Sequence, residues 1–312
     1  MAKVCNERLK LIVITATLKI AILGKGAIGS LIAYSCHQQK LDYQLLLKTS
    51  KAITLDIETI NGDKTLINPH TSDIKSASDF DVVVLPIKAY QVLGALQQLR
   101  KIITPKHTLV LLHNGMGTIE QVKALYPINP IIAGTTSYGA YKPTETSVKA
   151  TGLGETHLGW ITKPDDNASL IESTVSKLLP PSTWHQDIRL ALWNKLTINS
   201  VINPLTAIND IKNGELADKK YQQDFQAICS EVALVMNAVG YTTSSEALQQ
   251  KVMKVIKATA NNYSSMHQDI SFKRKSEIEF INGYVVKKSQ ELNITTPKNQ
   301  RLVAKIKALE TY

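Results

Sequence analysis

The chain has 312 residues, 44% apolar and 20% charged, which is enough for two domains with a sizeable core and excludes the disordered and fibrous classes. Its net charge of +10, 36 basic against 26 acidic residues, raises a polyanionic partner, but the lysines are scattered and interleaved with no aromatic run, so nucleic acid is not expected. Three scattered cysteines, Cys5, Cys36 and Cys229, form neither a disulfide framework nor a zinc site and favour a reduced, cytoplasmic compartment, and no stretch is long enough to span a membrane.

Residues 1–17 resemble a short signal peptide, with Lys3, Arg8 and Lys10 ahead of an apolar run, but Lys19 breaks that run and it leads straight into a strand. A dispensable extension, or a start codon assigned too early, is the better reading. Leu18 to Leu23 reads as a short buried strand, followed at once by GKGAIG, Gly24 to Gly29, and a helix from Ala27 to about Gln38. A GxGxxG match acquires meaning only in this strand, turn and helix context. Gly24 permits the tight turn, Gly26 lets the backbone approach a pyrophosphate, and Gly29 lets the helix pack closely. Lys25, Ala27 and Ile28 complete the loop, and the helix N-terminus offers free N–H groups to phosphates.

The second strand, about Tyr43 to Leu47, ends in Lys48, Thr49, Ser50 and Lys51 where an NAD-selective protein usually carries an acidic residue. Cations and hydroxyls suit a 2′-phosphate, so NADP is favoured over NAD. Ile53 to Ile57 and Thr65 to Ile67, around Asn61 and Gly62, predict an inserted hairpin. Asp81 to Leu85 predicts a central parallel strand, and Lys88 beyond it can either contact a cofactor or stand as an ordinary surface lysine. Thr108 to Leu112 leads into His113, Asn114, Gly115, Met116 and Gly117, a further strand end suited to close ligand approach. Ile131 to Gly134 is a short strand, and Val148 to Trp160 predicts antiparallel strands at the sheet edge. A helix over about Ala168 to Leu179 and a strand at Thr183 to His185 close an α/β domain of residues 1–186.

From Asp187 the pattern is helical, giving a second domain over residues 187–312. Its first helix, Leu192 to Ile208, is apolar except for Lys195, Asn199 and Asn203. Steps of four residues advance about 40° each, so these side chains form one narrow stripe. The stripe either finds partners inside the protein or faces a cleft and a polar ligand. Pro204 should bend the helix beside Asn203. Further helices are expected at Tyr221 to Val239, stopped by Gly240; Ser245 to Asn261; Ser276 to Leu292; and Pro297 to Leu309. Ser276 and Glu279 have capping-box spacing, which would place Glu277 in a first helical turn. Ser264, Ser265, Gln268 and Asp269 form another polar group near a helix end.

Together these residues resemble the 2-dehydropantoate 2-reductase (ketopantoate reductase) family, from Leu18 to the C-terminal helix. The specific segments are GKGAIG with DVVVLPIKAYQV, HNGMGTIE, LWNKLTINSVINPLTAI, NGEL, SSMHQDI and EIEFINGY. The resemblance implies a Rossmann-type doubly wound domain binding NADPH and an all-α substrate domain, with ketopantoate reduced to (R)-pantoate between them. It places the proton donor at Lys195 and a cleft glutamate near nicotinamide and substrate at Glu277. Substrate contacts fall on Asn114, Asn199, Asn203, Asn213 and Ser265. Cofactor contacts fall on Gly24 to Gly29, Lys48, Lys88, Asn114, Ala140 and Glu277. Lys48 replaces an arginine common in the family, losing its bidentate fork but keeping the charge. No metal is implied, and the partner is a small molecule acting on a monomer or homodimer. A reductase of another branched 2-keto acid, or a non-catalytic NADP-binding regulator, are the competing readings.

Overall fold

In a computed structural model of the chain, residues 17–75 and 79–311 are described here. All but the last residue of the expected extension, 1–17, therefore lies outside the described residues. The elements run β1 (Ile20–Leu23), α1 (Ala27–Gln38), β2 (Tyr43–Leu47), β3 (Leu55–Glu58), β4 (Lys64–Ile67), β5 (His70–Asp73), β6 (Val82–Leu85), α2 (Ala89–Gln98), β7 (Thr108–Leu111) and α3 (Thr118–Leu125). They continue with β8 (Ile131–Thr136), β9 (Gly139–Tyr141), β10 (Ser147–Gly152), β11 (Thr156–Thr162), α4 (Ala168–Ser176) and β12 (Ser182–Trp184). After these come only helices among the described residues: α5 (Arg189–Asn209), α6 (Gln222–Ala238), α7 (Ser245–Ala258), α8 (Ser265–Ser271), α9 (Asn282–Glu291) and α10 (Pro297–Leu309), with short 3₁₀ turns at Asn213–Ala217, Lys219–Tyr221 and Ile278–Phe280.

The main sheet has eight strands in the order β12-β11-β8-β7-β6-β1-β2-β5. It is parallel except where β11 runs against β8. The strands IAIL, VVVL and TLVL are buried along their whole length because both sheet faces are covered. Ile20, Ile22, Val82 and Val84 pack on one face with Ile32 of α1 and Val175 of α4. Ala21, Leu23, Val83 and Leu85 pack on the other with Val92 of α2, Val122 of α3 and Trp193 of α5. The chain is wound outward in both directions from β1 and β6, so the loops after these neighbours diverge and leave a crevice at their carboxyl ends.

The expected hairpin forms as β3 and β4, but it belongs to a second sheet of four strands, β4-β3-β10-β9. Val148 to Trp160 is therefore not one pair of edge strands: β10 pairs with β3 and β9, and only β11 joins the main sheet. Strand β5, HTSD, was not expected. It lies at the sheet edge with no fully buried residue, so it carries no apolar pattern.

Helix α5 runs through Pro204, which cannot donate to the carbonyl four residues back. That carbonyl, on Ser200, instead accepts from Asn282 Nδ2 at 2.9 Å. Asn282 also donates to Asn299 Oδ1 at 2.9 Å, and Asn299 donates from its backbone N and from Nδ2 to Glu231 Oε2. The buried Glu231 thus sits at the N-terminus of α10, where free N–H groups favour a carboxylate. The capping box expected at Ser276 does not form. Ser276 N donates to Glu310, Glu279 pairs with Lys307, and Glu277 precedes a 3₁₀ turn, with α9 starting only at Asn282. No helix of the described residues is long and apolar enough to cross a membrane.

Candidate active site

A cleft of about 1940 Å³ lies between the carboxyl ends of the main-sheet strands and the helices α5, α7 and α8. Pockets for ordinary small ligands fall at about 300–1,000 Å³, so this one has room for a dinucleotide and a second small molecule together.

At one end, the chain leaves β1 through Gly24, whose φ of +84° is the left-handed region that favours glycine. Helix α1 then begins at Ala27 with no side-chain cap and no acidic residue in its first turn, so its N–H groups stay open to an anion. A Cβ added at Gly26 would meet nothing nearer than Pro86 O at 3.9 Å. Gly24, Lys25, Gly26, Ala27 and Ile28 line the cleft. Gly29 does not: its Cβ would lie 2.8 Å from Gly24 O, so it lets the helix close on the loop rather than touching what enters. Lys48, Thr49 and Lys51 line the wall after β2, while the Ser50 hydroxyl is used on Thr71 O. Ala140 of β9 lines the same end. These features fit the phosphates of a dinucleotide.

Toward the middle, Lys88, Asn114 and Glu277 come together from three distant parts of the chain. Glu277 Oε1 accepts from Ala89 N, the first residue of α2, at 2.9 Å, and Oε2 accepts from Asn114 Nδ2 at 3.1 Å. Lys88 Nζ lies 3.6 Å from Glu277 Oε2 and 2.5 Å from Asp269 Oδ2. Lys88 is therefore an ion-paired link between the sheet and the helices rather than a surface lysine. Burial alone would lower its pKa, but Glu277 and Asp269 outweigh that and hold it above the ordinary lysine value. Asp269, read from sequence as part of a local capping group, is buried and is the partner that sequence reasoning missed. An acidic residue on the covered side of a helix needs a cation, and that was the available signal.

Beyond this link lies the stripe on α5. Lys195 Nζ donates to Thr136 O at the end of β8. Burial lowers its pKa and outweighs the Glu277 charge, which pulls it up, leaving it at about 8. Asn199 and Asn203 line the cleft, and neither amide has a hydrogen-bond partner among the described residues. Asn213 lines the wall as well, donating from Nδ2 to Thr259 Oγ1 at 2.9 Å while its buried Oδ1 has no partner among the described residues. Ser265 opens α8, exposed to the cleft. The preceding Ser264 caps α8 through His267 N and meets Thr206 Oγ1 of α5 at 2.7 Å, fixing the serine pair against the stripe.

His113 lines the cleft too, and sequence reasoning gave it no role. Its Nε2 meets Thr118 Oγ1 at 2.6 Å, and burial holds its pKa below the usual histidine value. The arrangement is chemically explicit: an anion-ready loop at one end, and at the other an acidified ammonium beside two amides that line the cleft.

Residues 20–163 match the family described as Ketopantoate reductase PanE/ApbA, and residues 187–310 match its C-terminal counterpart. The 2-dehydropantoate 2-reductase of Vibrio cholerae is 37% identical over 296 residues, 94% of this chain and 98% of that protein. Its counterpart in Escherichia coli O157:H7 is 35% identical over 94% of this chain and 96% of that one. Two solved structures share the fold. A D-mandelate dehydrogenase with NADH and anilino(oxo)acetate has a TM-score of 0.85 at 23% identity, covering 94% of this chain and 98% of that one. The PanE/ApbA family ketopantoate reductase of Ralstonia eutropha JMP134 has a TM-score of 0.81 at 20% identity, with the same coverage. With both halves of the chain matched in order and curated relatives aligned almost end to end, this chain belongs to the ketopantoate reductase PanE/ApbA family.

Proposed function

We propose that this protein is a 2-dehydropantoate 2-reductase that uses NADPH, with residues 1–186 carrying the cofactor and residues 187–312 the substrate. The observation that carries the chemistry is Lys195: a lysine brought down to about 8, on a cleft wall beside two amides without partners among the described residues. The curated relatives support the substrate, since each of those named above is a 2-dehydropantoate 2-reductase. The nicotinamide cofactor is supported by the open N-terminus of α1, and the NADH-bound D-mandelate dehydrogenase shares this fold. Lys48 and Lys51, facing the cleft where the adenosine ribose belongs, favour a 2′-phosphate and hence NADPH.

Reduction of the C2 ketone leaves an alkoxide that needs charge stabilisation as it forms and a proton to finish. When bound, the nicotinamide supplies the hydride, and the chain supplies the rest. An ammonium has three N–H donors; Lys195 spends one on Thr136 O and can aim another at the C2 oxygen, then transfer that proton. Asn199 and Asn203 hold the substrate's oxygens, and Ser265 its carboxylate, which converts a collision into an oriented reaction. Asn114 donates to Glu277 at the junction of the cofactor and substrate ends, which helps to orient both side chains.

The test is loss of NADPH absorbance with and without 2-dehydropantoate, with 2-ketoisovalerate as the competing substrate. Turnover with a higher kcat/KM for 2-dehydropantoate is expected, and no turnover with either defeats the reading. Lys48→Ala should raise KM for NADPH and narrow its advantage over NADH; unchanged discrimination would show that the 2′-phosphate is held elsewhere.

A further inference from the structure

The glycine loop carries a side-chain cation of its own, and that cation is already taken. Lys25 is the second residue of GKGAIG, and its Nζ lies 2.6 Å from Glu145 Oε1. Glu145 comes from the connection between β9 and β10, on the second sheet. The same connection reaches the loop a second time, since Lys142 Nζ donates to Lys25 O at 3.0 Å and to the backbone oxygen of Glu145. Residues 142–145 thus form a strap across the loop, fastened through one carboxylate and one ammonium. Lys25 and Glu145 both line the cleft, at the same end as Gly24, Gly26 and Lys51. The Lys25 side chain is largely covered, whereas that of Glu145 is 73% exposed and can swing out without unfolding anything.

Resting on the dinucleotide reading given above, we propose that Glu145 is an internal competitor of the cofactor's pyrophosphate: its carboxylate occupies Lys25 and must leave when the pyrophosphate arrives, so it weakens dinucleotide binding through that lysine.

The physical argument is one of sign and place. A pyrophosphate seated on the open N–H groups of α1 lies beside residue 25 of the loop. A carboxylate there opposes it by neutralising the Lys25 ammonium that would otherwise meet the phosphate oxygens. The cations Lys25, Lys51 and Lys142 all act on Glu145 and hold its carboxyl below the usual carboxylate range, so the competitor is charged at neutral pH. Lys25 is the nearest of them and the one in contact, which places the competition at the pyrophosphate and not at the 2′-substituent. A weaker hold on the dinucleotide favours release of the oxidised form after turnover, and product release is a step that limits kcat in many enzymes.

The experiment measures dissociation constants of NADPH, NADP and NADH, and of 2′-AMP, which has the 2′-phosphate but no pyrophosphate. Full-length wild type is compared with Glu145→Gln, Lys25→Met and the double variant, each checked for an unchanged melting temperature. Glu145→Gln is expected to tighten all three dinucleotides roughly three- to tenfold while leaving 2′-AMP unmoved. Lys25→Met should weaken dinucleotide binding, and adding Glu145→Gln to it should then restore much less than the single variant gains. Unaltered dinucleotide affinity in Glu145→Gln overturns the proposal. So does an equal tightening of 2′-AMP, which would move the competition to Lys51 and the ribose. Wild type that binds 2-dehydropantoate but no dinucleotide would instead defeat the reading of the glycine loop itself.

Discussion

Two influences act on the proton of Lys195: burial, which lowers its pKa, and the Glu277 charge, which raises it; burial is the larger and the two leave it at about 8. An ordinary lysine is a poor acid at neutral pH, and one near 8 is close to the range that general acid catalysis favours. In the proposed role the group must be protonated to act, so kcat/KM should be flat below about pH 8 and fall roughly tenfold per unit above it. Lys195→Ala should lower kcat by roughly 10²-fold or more with little change in NADPH affinity, the usual size of a general-acid contribution. Lys195→Arg keeps the charge but holds its proton too tightly, and should lose the descending limb together with most of the rate. A descending limb that survives in Lys195→Ala would assign that limb to another group. The spacing of Lys195, Asn199 and Asn203 was legible in sequence because helical geometry alone sets it. Lys88 was not, since its carboxylates are supplied by Asp269 and Glu277, far along the chain.

Elements whose burial is uniform are the ones a sequence displays. IAIL and VVVL read as central strands because every residue is covered, and α10 begins at Pro297 as its first-turn proline suggests. Strand β5 and helix α8 do not display themselves. One is a polar edge strand, and the other spans only 7 residues, too few for a periodic pattern. The S-x-x-E spacing at Ser276 misleads because Glu310 and Lys307 of the last helical stretch capture both of its members. Helix α5 shows how a sequence defect is repaired by tertiary structure. Pro204 strips Ser200 O of its helical donor, and Asn282, wholly buried, replaces it. Asn282→Ala should destabilise the protein by about 2–4 kcal/mol, because Ser200 O and Asn299 Oδ1 both lose a buried partner. In a Pro204→Ala background residue 204 regains an N–H for Ser200 O, so the same substitution should cost less. Urea midpoints of the four variants measure this, and equal costs in both backgrounds would sever the link between Pro204 and Asn282.

Across the whole molecule, the sheet half and the helical half are joined at the site itself. Met116 N donates to Phe280 O at 2.8 Å, and Gly115, with φ +83°, lies so close that an added Cβ would be 2.3 Å from that oxygen. Glu277 stands just before this seam and touches Ala89, Asn114 and Lys88 on the sheet side. A carboxylate from the helical half thereby caps α2 and, at the same time, sets the field at Lys195 on α5. The seam and the acidity of Lys195 are therefore coupled through one residue. Removing the Glu277 charge takes away the influence that raises Lys195, so burial is left less opposed. Glu277→Gln should shift the descending limb of kcat/KM to lower pH, in addition to lowering the rate through poorer positioning. Asp269→Asn is the discriminating control: it also strips a carboxylate from Lys88, yet Asp269 is not among the charges acting on Lys195. Its limb should stay near that of the wild type. Equal displacement in both variants would mean that the ion pair at Lys88, and not the Glu277 charge, governs the proton of Lys195.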